Sequence, residues 1–161
     1  MKEALIIYDS VFGNTKKISE AMGNALTPNM EVDLRIVDEV FPEHLDGVKF
    51  LIVGSPTRQF KETNAMNQFM KKIPKNGLKG INIATFDTRM TPEDVNKNRF
   101  LGLMVGLFGY AAEKISKQLR LLGGNEVLPP EGFYVVGMEG PLADGELDRA
   151  AKWVLEVVKK G

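Results

Sequence analysis

The chain of 161 residues contains no cysteine, which excludes disulfides, thiolate-held zinc, cysteine-ligated iron–sulfur clusters and cysteine nucleophiles. It has a single histidine, His44, next to Pro42 and Glu43, so serine–histidine triads and multi-histidine metal sites lack their parts. We therefore expect no metal site. The absence of cysteine also fits a reducing, cytoplasmic compartment.

Excess charge and long apolar runs are absent as well. Lysine plus arginine and aspartate plus glutamate number 21 each, so no overall field attracts nucleic acid. The longest apolar stretch, 100–110, is broken by glycines and falls short of the roughly 20 residues of a membrane-spanning helix. The start at 1–8 has none of the features of a signal peptide. No repeat or linker divides the chain, so we expect a single domain over 1–161.

Short β-type runs alternate with segments of helical spacing. The runs that predict five strands are Leu5–Tyr8, Val32–Val37, Phe50–Gly54, Ile81–Phe86 and Phe133–Val136. The helical spacing is clearest over 18–26, 112–122 and 147–158, and a shorter helix is predicted over 64–72. Strands that are apolar on both faces and alternate with amphipathic helices predict a parallel sheet in a three-layer α/β/α sandwich.

The segment 8–16 follows the first predicted strand and leads into a helix that begins near Thr15. Ser10, Asn14 and Thr15 offer side-chain hydrogen bonds, Gly13 permits close backbone approach, and the first helical N–H groups are unpaired. The segment therefore predicts an anion cradle, the alternative being a turn in which Ser10 or Thr15 only caps the helix. It lacks the triphosphate and dinucleotide glycine patterns, so a single terminal phosphate suits it better.

This loop resembles the hydroxyl-rich, Gly-Asn-Thr-containing phosphate loop of the flavodoxin family, and the order of elements over nearly the whole chain is also similar. The resemblance implies a five-stranded parallel sheet of order 2-1-3-4-5, with FMN at the switch point between strands one and three. It implies phosphate-side contacts from Ser10, Phe12, Gly13, Asn14, Thr15 and Lys16. Electron transfer by the bound flavin is the function it implies.

Two further loops occupy the positions that flank the flavin ring in this family. The first follows strand three, contains a Gly-Ser-Pro-Thr sequence and implies contacts from Ser55, Pro56, Thr57, Arg58, Gln59 and Phe60. Phe60 is the candidate for stacking, because the only tryptophan, Trp153, lies on the apolar stripe of the last helix. The second loop follows strand four and implies contacts from Asp87, Thr88 and Arg89; a solvated Asp87–Arg89 ion pair is the alternative. Tyr110 is a further expected contact.

The sequence departs from the family in three ways. It is neutral rather than acidic, and Arg58, Lys61 and Arg89 in or beside the flavin loops should favour the anionic, reduced flavin. The stretch 56–60 contains no glycine, so a peptide flip into positive φ should cost more there. An insertion at about 90–109 is predicted to be helical, and its apolar part, 100–108, is expected to pack on the sheet, cover the flavin or form a homodimer contact.

The leading interpretation is an FMN-dependent electron carrier with redox protein partners such as a ferredoxin or a reductase. An FMN-dependent NAD(P)H:quinone-type reductase is the alternative, and a flavin-free binding module of the same fold is the third. Whether the protein is an enzyme stays open at this point. A cluster of lysines at 71, 72, 75 and 79 is expected to be a solvated face, or else a docking site for an acidic redox partner.

Overall fold

A computed structural model describes residues 3–161, which contain six parallel strands and six α-helices. The strands are β1 (Ala4–Tyr8), β2 (Val32–Ile36), β3 (Phe50–Pro56), β4 (Asn82–Met90), β5 (Asn125–Glu126) and β6 (Glu131–Val135). The helices are α1 (Asn14–Leu26), α2 (Asn64–Lys72), α3 (Pro92–Asn96), α4 (Arg99–Phe108), α5 (Ala111–Leu121) and α6 (Glu146–Lys160). Short 3₁₀ turns at Val37–Glu39 and Pro42–Leu45 join β2 to β3, so His44 lies in a turn of helix.

The strands form one sheet of order β2-β1-β3-β4-β5, with β6 also paired to β4. β5 pairs with the start of β4, at Asn82 and Ile83, and β6 pairs with its end, from Phe86 to Met90. Two consecutive segments therefore fill the fifth position. The predicted sandwich and strand order are confirmed, and the two-residue β5 is an addition that no apolar pattern announces.

Both faces of the sheet are buried, as the continuous apolar strands predict. Along β1, Leu5 and Ile7 face the core formed with α2 and α5, whereas Ala4 and Ile6 face the core formed with α1 and α6. Trp153 packs edge-on against Phe86 and Phe133 in the second core, as its position on the apolar stripe predicted.

β3 and β4 are longer at their carboxyl ends than predicted. Thr88 pairs with Pro56 in the register of the two strands, and β4 ends only at Met90. The placement of residues 87–89 in a loop after strand four is therefore wrong. These residues belong to the strand because β3 pairs with β4 as far as Thr88 and β6 pairs with it as far as Met90.

Gly54 lets β3 lie close to the core beneath this edge. A Cβ at Gly54 would overlap the ring of Phe86, a fully buried side chain on the neighbouring strand. Glycine is required there by close approach rather than by backbone conformation. The packing keeps the ends of β3 and β4 in register below the loops that follow them.

Candidate functional site

A cavity of about 520 Å³ lies at the carboxyl ends of β1, β3 and β4. Its volume falls in the range of about 300–1,000 Å³ that is typical of small-molecule sites. The carboxyl edge of an open parallel sheet, where the strand order reverses, is also where such folds bind ligands. Here the reversal lies between β1 and β3.

The loop between β1 and α1 forms one wall of this cavity. Phe12 of the loop and Asn14 and Thr15 of the first turn of α1 line it, whereas Ser10, Gly13 and Lys16 do not. The Ser10 hydroxyl accepts hydrogen bonds from the backbone N–H of Gly13 at 3.1 Å and of Lys16 at 3.4 Å. Gly13 has a φ of 88°, a left-handed conformation that glycine adopts without strain. Ser10 therefore stabilises the shape of the loop, and the residues after it supply the hydrogen-bond donors of the anion cradle.

The first N–H groups of α1, those of Asn14 and Thr15, have no carbonyl in a preceding turn and carry the positive end of the helix dipole. The Thr15 hydroxyl is buried and bonded to the hydroxyl of Thr88 at 2.8 Å. The Asn14 amide donates to the carbonyl of Glu139 at 2.9 Å. This wall therefore combines unpaired donors with a hydroxyl that Thr88 holds in place, a donor set that suits an anion.

A tight turn after β3 forms the second wall, and 56–60 line it whereas Ser55 is buried behind it. The backbones of Arg58 and Lys61 exchange two hydrogen bonds, at 2.8 and 3.1 Å. Between them Gln59 has φ 50° and Phe60 has φ 65°, the pattern of a type I′ turn. Two residues with a Cβ therefore already occupy the left-handed region, which costs free energy for side chains other than glycine.

The Phe60 ring lies between this turn and α4. The ring centroid is 6.0 Å from that of Phe108. The backbone carbonyl of Phe60 accepts a hydrogen bond from the ammonium of Lys114 at 2.5 Å. On the other side of the turn, the Arg58 guanidinium lies 5.5 Å from the ring centroid of Phe12. The turn thus joins the phosphate-loop wall to α4.

Asp87 and Arg89 form a bidentate ion pair with N–O distances of 2.6 and 2.8 Å. The ion pair considered from the sequence is therefore present, but it is buried rather than solvated, and the Asp87 side chain does not line the cavity. Burial raises the pKa of the Asp87 carboxyl, and hydrogen bonds from Arg89 and the backbone of Ala112 lower it in part. Arg89 and Thr88 do line the cavity, so β4 presents one side chain of the pair to the site.

Tyr110 is positioned by the start of α5. The N–H of Ala111 donates to the hydroxyl of Thr57 at 3.0 Å, and the N–H of Ala112 donates to Asp87 at 2.9 Å. These side chains satisfy two of the donors that a helix start leaves free. Tyr110, the preceding residue, lines the cavity and stacks on the Arg89 guanidinium at 3.6 Å. Burial raises the pKa of the Tyr110 hydroxyl, although the positive charge of Arg89 opposes the shift.

Segment 90–109 forms α3 and α4 and covers one side of the cavity. Val95, Leu101 and Val105 face the cavity, but no residue of α4 is buried. Phe100 and Leu103 point into solvent, with 68% and 60% of their surfaces exposed. The helical prediction for this segment is confirmed. The helix is apolar both towards the cavity and towards solvent.

Sequence reasoning missed several residues of the cavity wall. The i, i+4 spacing of Leu101 and Val105 was a usable signal for one helix face. No local sequence pattern predicts that Met138 and Glu139 line the cavity. They reach it because the Asn14 amide binds the Glu139 carbonyl, far away in the sequence. The other unpredicted wall residues are Val11, Met90, Val95 and Val135.

The lysine cluster lies at the other edge of the sheet. Its members are exposed and occupy the end of α2 and the turn that leads to the amino end of β4. A nine-residue strand spans roughly 30 Å, which separates these lysines from the cavity. Within residues 3–161 no cluster of His, Cys, Asp or Glu suits a metal ion. None of the helices described there is long and apolar enough to cross a membrane.

Known proteins resemble this chain in sequence and in structure. A sequence model of the flavodoxin domain matches residues 5–160. A flavodoxin of Aquifex aeolicus is 37% identical over 75 residues, a match that spans 45% of this chain and only 40% of that protein. Oxidised flavodoxin 1 of Bacillus cereus superposes with a TM-score of 0.76 at 17% identity, covering 98% of both chains. An archaeal flavodoxin superposes with a TM-score of 0.74 at 22% identity, covering 98% of this chain and 97% of the other.

Proposed function

We propose, since this chain belongs to the flavodoxin family, that it binds FMN in the cavity at the carboxyl edge and carries electrons between redox proteins. The observation that carries this proposal is the cavity itself, which joins an anion cradle at the start of α1 to aromatic side chains on the opposite walls. A molecule with a phosphate at one end and a planar ring at the other matches both features.

The residues present fit that cofactor. The N–H groups of Asn14 and Thr15 and the Thr15 hydroxyl would receive the phosphate. Ser10 would support them by holding the N–H groups of Gly13 and Lys16 in place. Phe12, Phe60 and Tyr110 would face the ring. When bound, FMN supplies the redox chemistry, and the protein supplies binding, orientation and charge.

The remaining wall residues would contact the polar parts of the cofactor. Pro56, Thr57, Arg58 and Gln59 offer backbone and side-chain groups from the β3 turn, and Thr88 and Arg89 offer theirs from β4. Ser55 and Asp87 are buried behind the wall, and we assign them a supporting role, since Ser55 accepts from the N–H of Thr63 and Asp87 holds Arg89. The Arg89 guanidinium would favour the reduced, anionic flavin only through the positive charge that its pairing with Asp87 leaves uncompensated.

The proposal extends to the cellular setting. The protein itself would be a single-domain oxidoreductase of the cytoplasm, a compartment that fits the absence of cysteine. An acidic ferredoxin or a flavoprotein reductase would serve as its partner. The apolar cover from Leu101 and Val105 also keeps the quinone-type reductase as a second candidate, because it would border an organic substrate. A homodimer through 100–108 would be a competing use of α4.

Absorption spectra separate these functions. The purified protein is titrated with FMN, reduced photochemically without oxygen, and then offered NADH or NADPH with a quinone. We expect the absorption bands of the bound flavin to bleach during photoreduction and to remain unchanged when NADH or NADPH is added instead. Rapid bleaching by nicotinamide would favour the reductase, and failure to retain FMN at all would leave only the flavin-free binding module.

A further inference from the structure

A surface patch borders the cavity mouth where the β3 turn meets α4. We call it the mouth patch and define it by Phe12, Arg58, Lys61, Leu107 and Phe108. Its apolar members are unusually exposed: Leu107 shows 68% of its surface, and Phe12 and Phe108 show 50% each. Arg58 and Lys61 are exposed as well. Clustered exposed aromatics with arginine are typical of interaction sites rather than of free surface.

Four members of the mouth patch are joined by contacts of the β3 turn, and Leu107, the neighbour of Phe108 in α4, extends the patch onto the outer face of that helix. Arg58 lies over the ring of Phe12, and Phe108 packs against Phe60 within the turn. Lys114 is tied to the same turn through the carbonyl of Phe60. Two backbone hydrogen bonds between Arg58 and Lys61 fix the turn itself. The patch is therefore a preorganised surface, which reduces the entropy that binding would cost.

The charge of the mouth patch indicates the kind of partner. In residues 3–161, Arg58 and Lys61 take part in no ion pair with a carboxylate, and the Lys114 ammonium beside them faces a carbonyl. Two carboxylates lie near the patch: that of Glu113 next to Gly109, and that of Glu62, which follows Lys61 but is buried and accepts from the Asn67 amide. A protein surface with carboxylates around an apolar centre would complement the mouth patch.

We propose that the mouth patch is the docking surface for an acidic redox protein, a proposal that rests on the FMN electron-carrier function. Docking there would place the partner at the cavity, whereas docking at the lysine cluster would leave it at the far edge of the sheet. The reaction is a one-electron transfer: the partner is oxidised by one electron, and the FMN-loaded protein is reduced by one. No atoms are exchanged between the two proteins.

The experiment measures how fast a reduced plant-type [2Fe–2S] ferredoxin, an acidic protein, reduces the FMN-loaded chain in a stopped-flow instrument. Lys61→Glu tests the charge, with Lys72→Glu in the lysine cluster as its matched control, because each changes the net charge equally. Leu107→Ser tests the apolar part, with Leu121→Ser as control, since Leu107 and Leu121 are 68% and 67% exposed. None of these side chains lines the cavity.

We expect Lys61→Glu to lower the second-order rate constant about tenfold at low ionic strength, with a smaller deficit at high salt. Leu107→Ser should lower the rate constant severalfold at both low and high ionic strength. The rate constants of the two control variants should stay within about twofold of that of the wild type. Reduction by one-electron-reduced methyl viologen, a small donor that needs no docking surface, should not become slower in any variant.

Other results would overturn the docking proposal. Equal losses from Lys61→Glu and Lys72→Glu would show that only net charge matters. Parallel losses with methyl viologen would place the effect at the cofactor. A dimer by analytical ultracentrifugation that Leu107→Ser dissociates would show that a second copy covers the patch. If instead the wild-type protein retained no FMN, the electron-carrier function would fail, a result distinct from these three.

Discussion

Replacing Thr15 with alanine tests the anion cradle at its most buried side chain. Thr15 is 1% exposed and its hydroxyl is bonded to that of Thr88 at 2.8 Å, so it can accept from Thr88 while donating to a phosphate. A hydrogen bond to a charged group contributes about 1.5–3 kcal/mol. Its loss should therefore weaken FMN binding roughly ten- to a hundredfold.

Riboflavin serves as the internal comparison, because it has the same ring without the phosphate. We expect Thr15→Ala to change riboflavin affinity less than about threefold. Affinities are measured by quenching of flavin fluorescence at constant salt. Ser19→Ala is the matched control: this hydroxyl is equally buried one turn further along α1, but it donates to the carbonyl of Thr15 and lies outside the cavity wall.

Equal losses for FMN and riboflavin would refute the phosphate assignment. So would an effect of Ser19→Ala on FMN as large as that of Thr15→Ala, because both changes would then act through the folding of α1. Thr15→Ser retains the hydroxyl and should keep most of the FMN affinity. Removing Thr15 also leaves the Thr88 hydroxyl without this partner, so unfolding by urea is measured alongside to separate stability from binding.

Three further predictions concern the supporting structure. Gly54→Ala should destabilise the fold by about 1–3 kcal/mol in urea unfolding, because its Cβ would overlap the Phe86 ring. Asp94→Asn should lose stability at neutral pH, because a hydrogen bond from the N–H of residue 137 lowers the pKa of the Asp94 carboxyl. A lowered folded-state pKa adds stability above the unfolded pKa, so the deficit should vanish as pH falls through the acid range. Gln59→Gly should stabilise the left-handed turn by about 0.5–1 kcal/mol, whereas Gln68→Gly in α2 should destabilise by a similar amount.

The architecture and the first wall of the site were predictable because they depend on local pattern. β1, the loop after it and the start of α1 follow from a buried strand, a glycine at positive φ and free helix N–H groups. The order of the strands then follows from the family resemblance, and the sheet agrees with it. β1, its loop and α1 are encoded within about twenty consecutive residues, whereas the strand order came from the resemblance over nearly the whole chain.

The ends of β3 and β4 were not predictable from local pattern. Asp87, Thr88 and Arg89 are polar, and polarity at the end of an apolar run is typical of a loop. They continue the strand because β6 pairs with them and because Gly132, opposite, leaves room for the Arg89 side chain. That partner strand lies more than forty residues further along the chain, where no local signal relates the two.

The apolar surface of α4 carries information that its cavity-facing residues do not explain. Covering the cavity requires only the face with Leu101 and Val105, and a helix with a polar outer face would cover it equally well. Yet Phe100, Leu103 and Leu107 are exposed to solvent on the outer side. An apolar outer face gives an isolated protein no stability and promotes association. α4 meets the turn of Arg58 and Lys61 through Phe108 and Phe60, so a partner that docks at the mouth of the cavity would also reach the outer face of α4, which the cover alone does not explain.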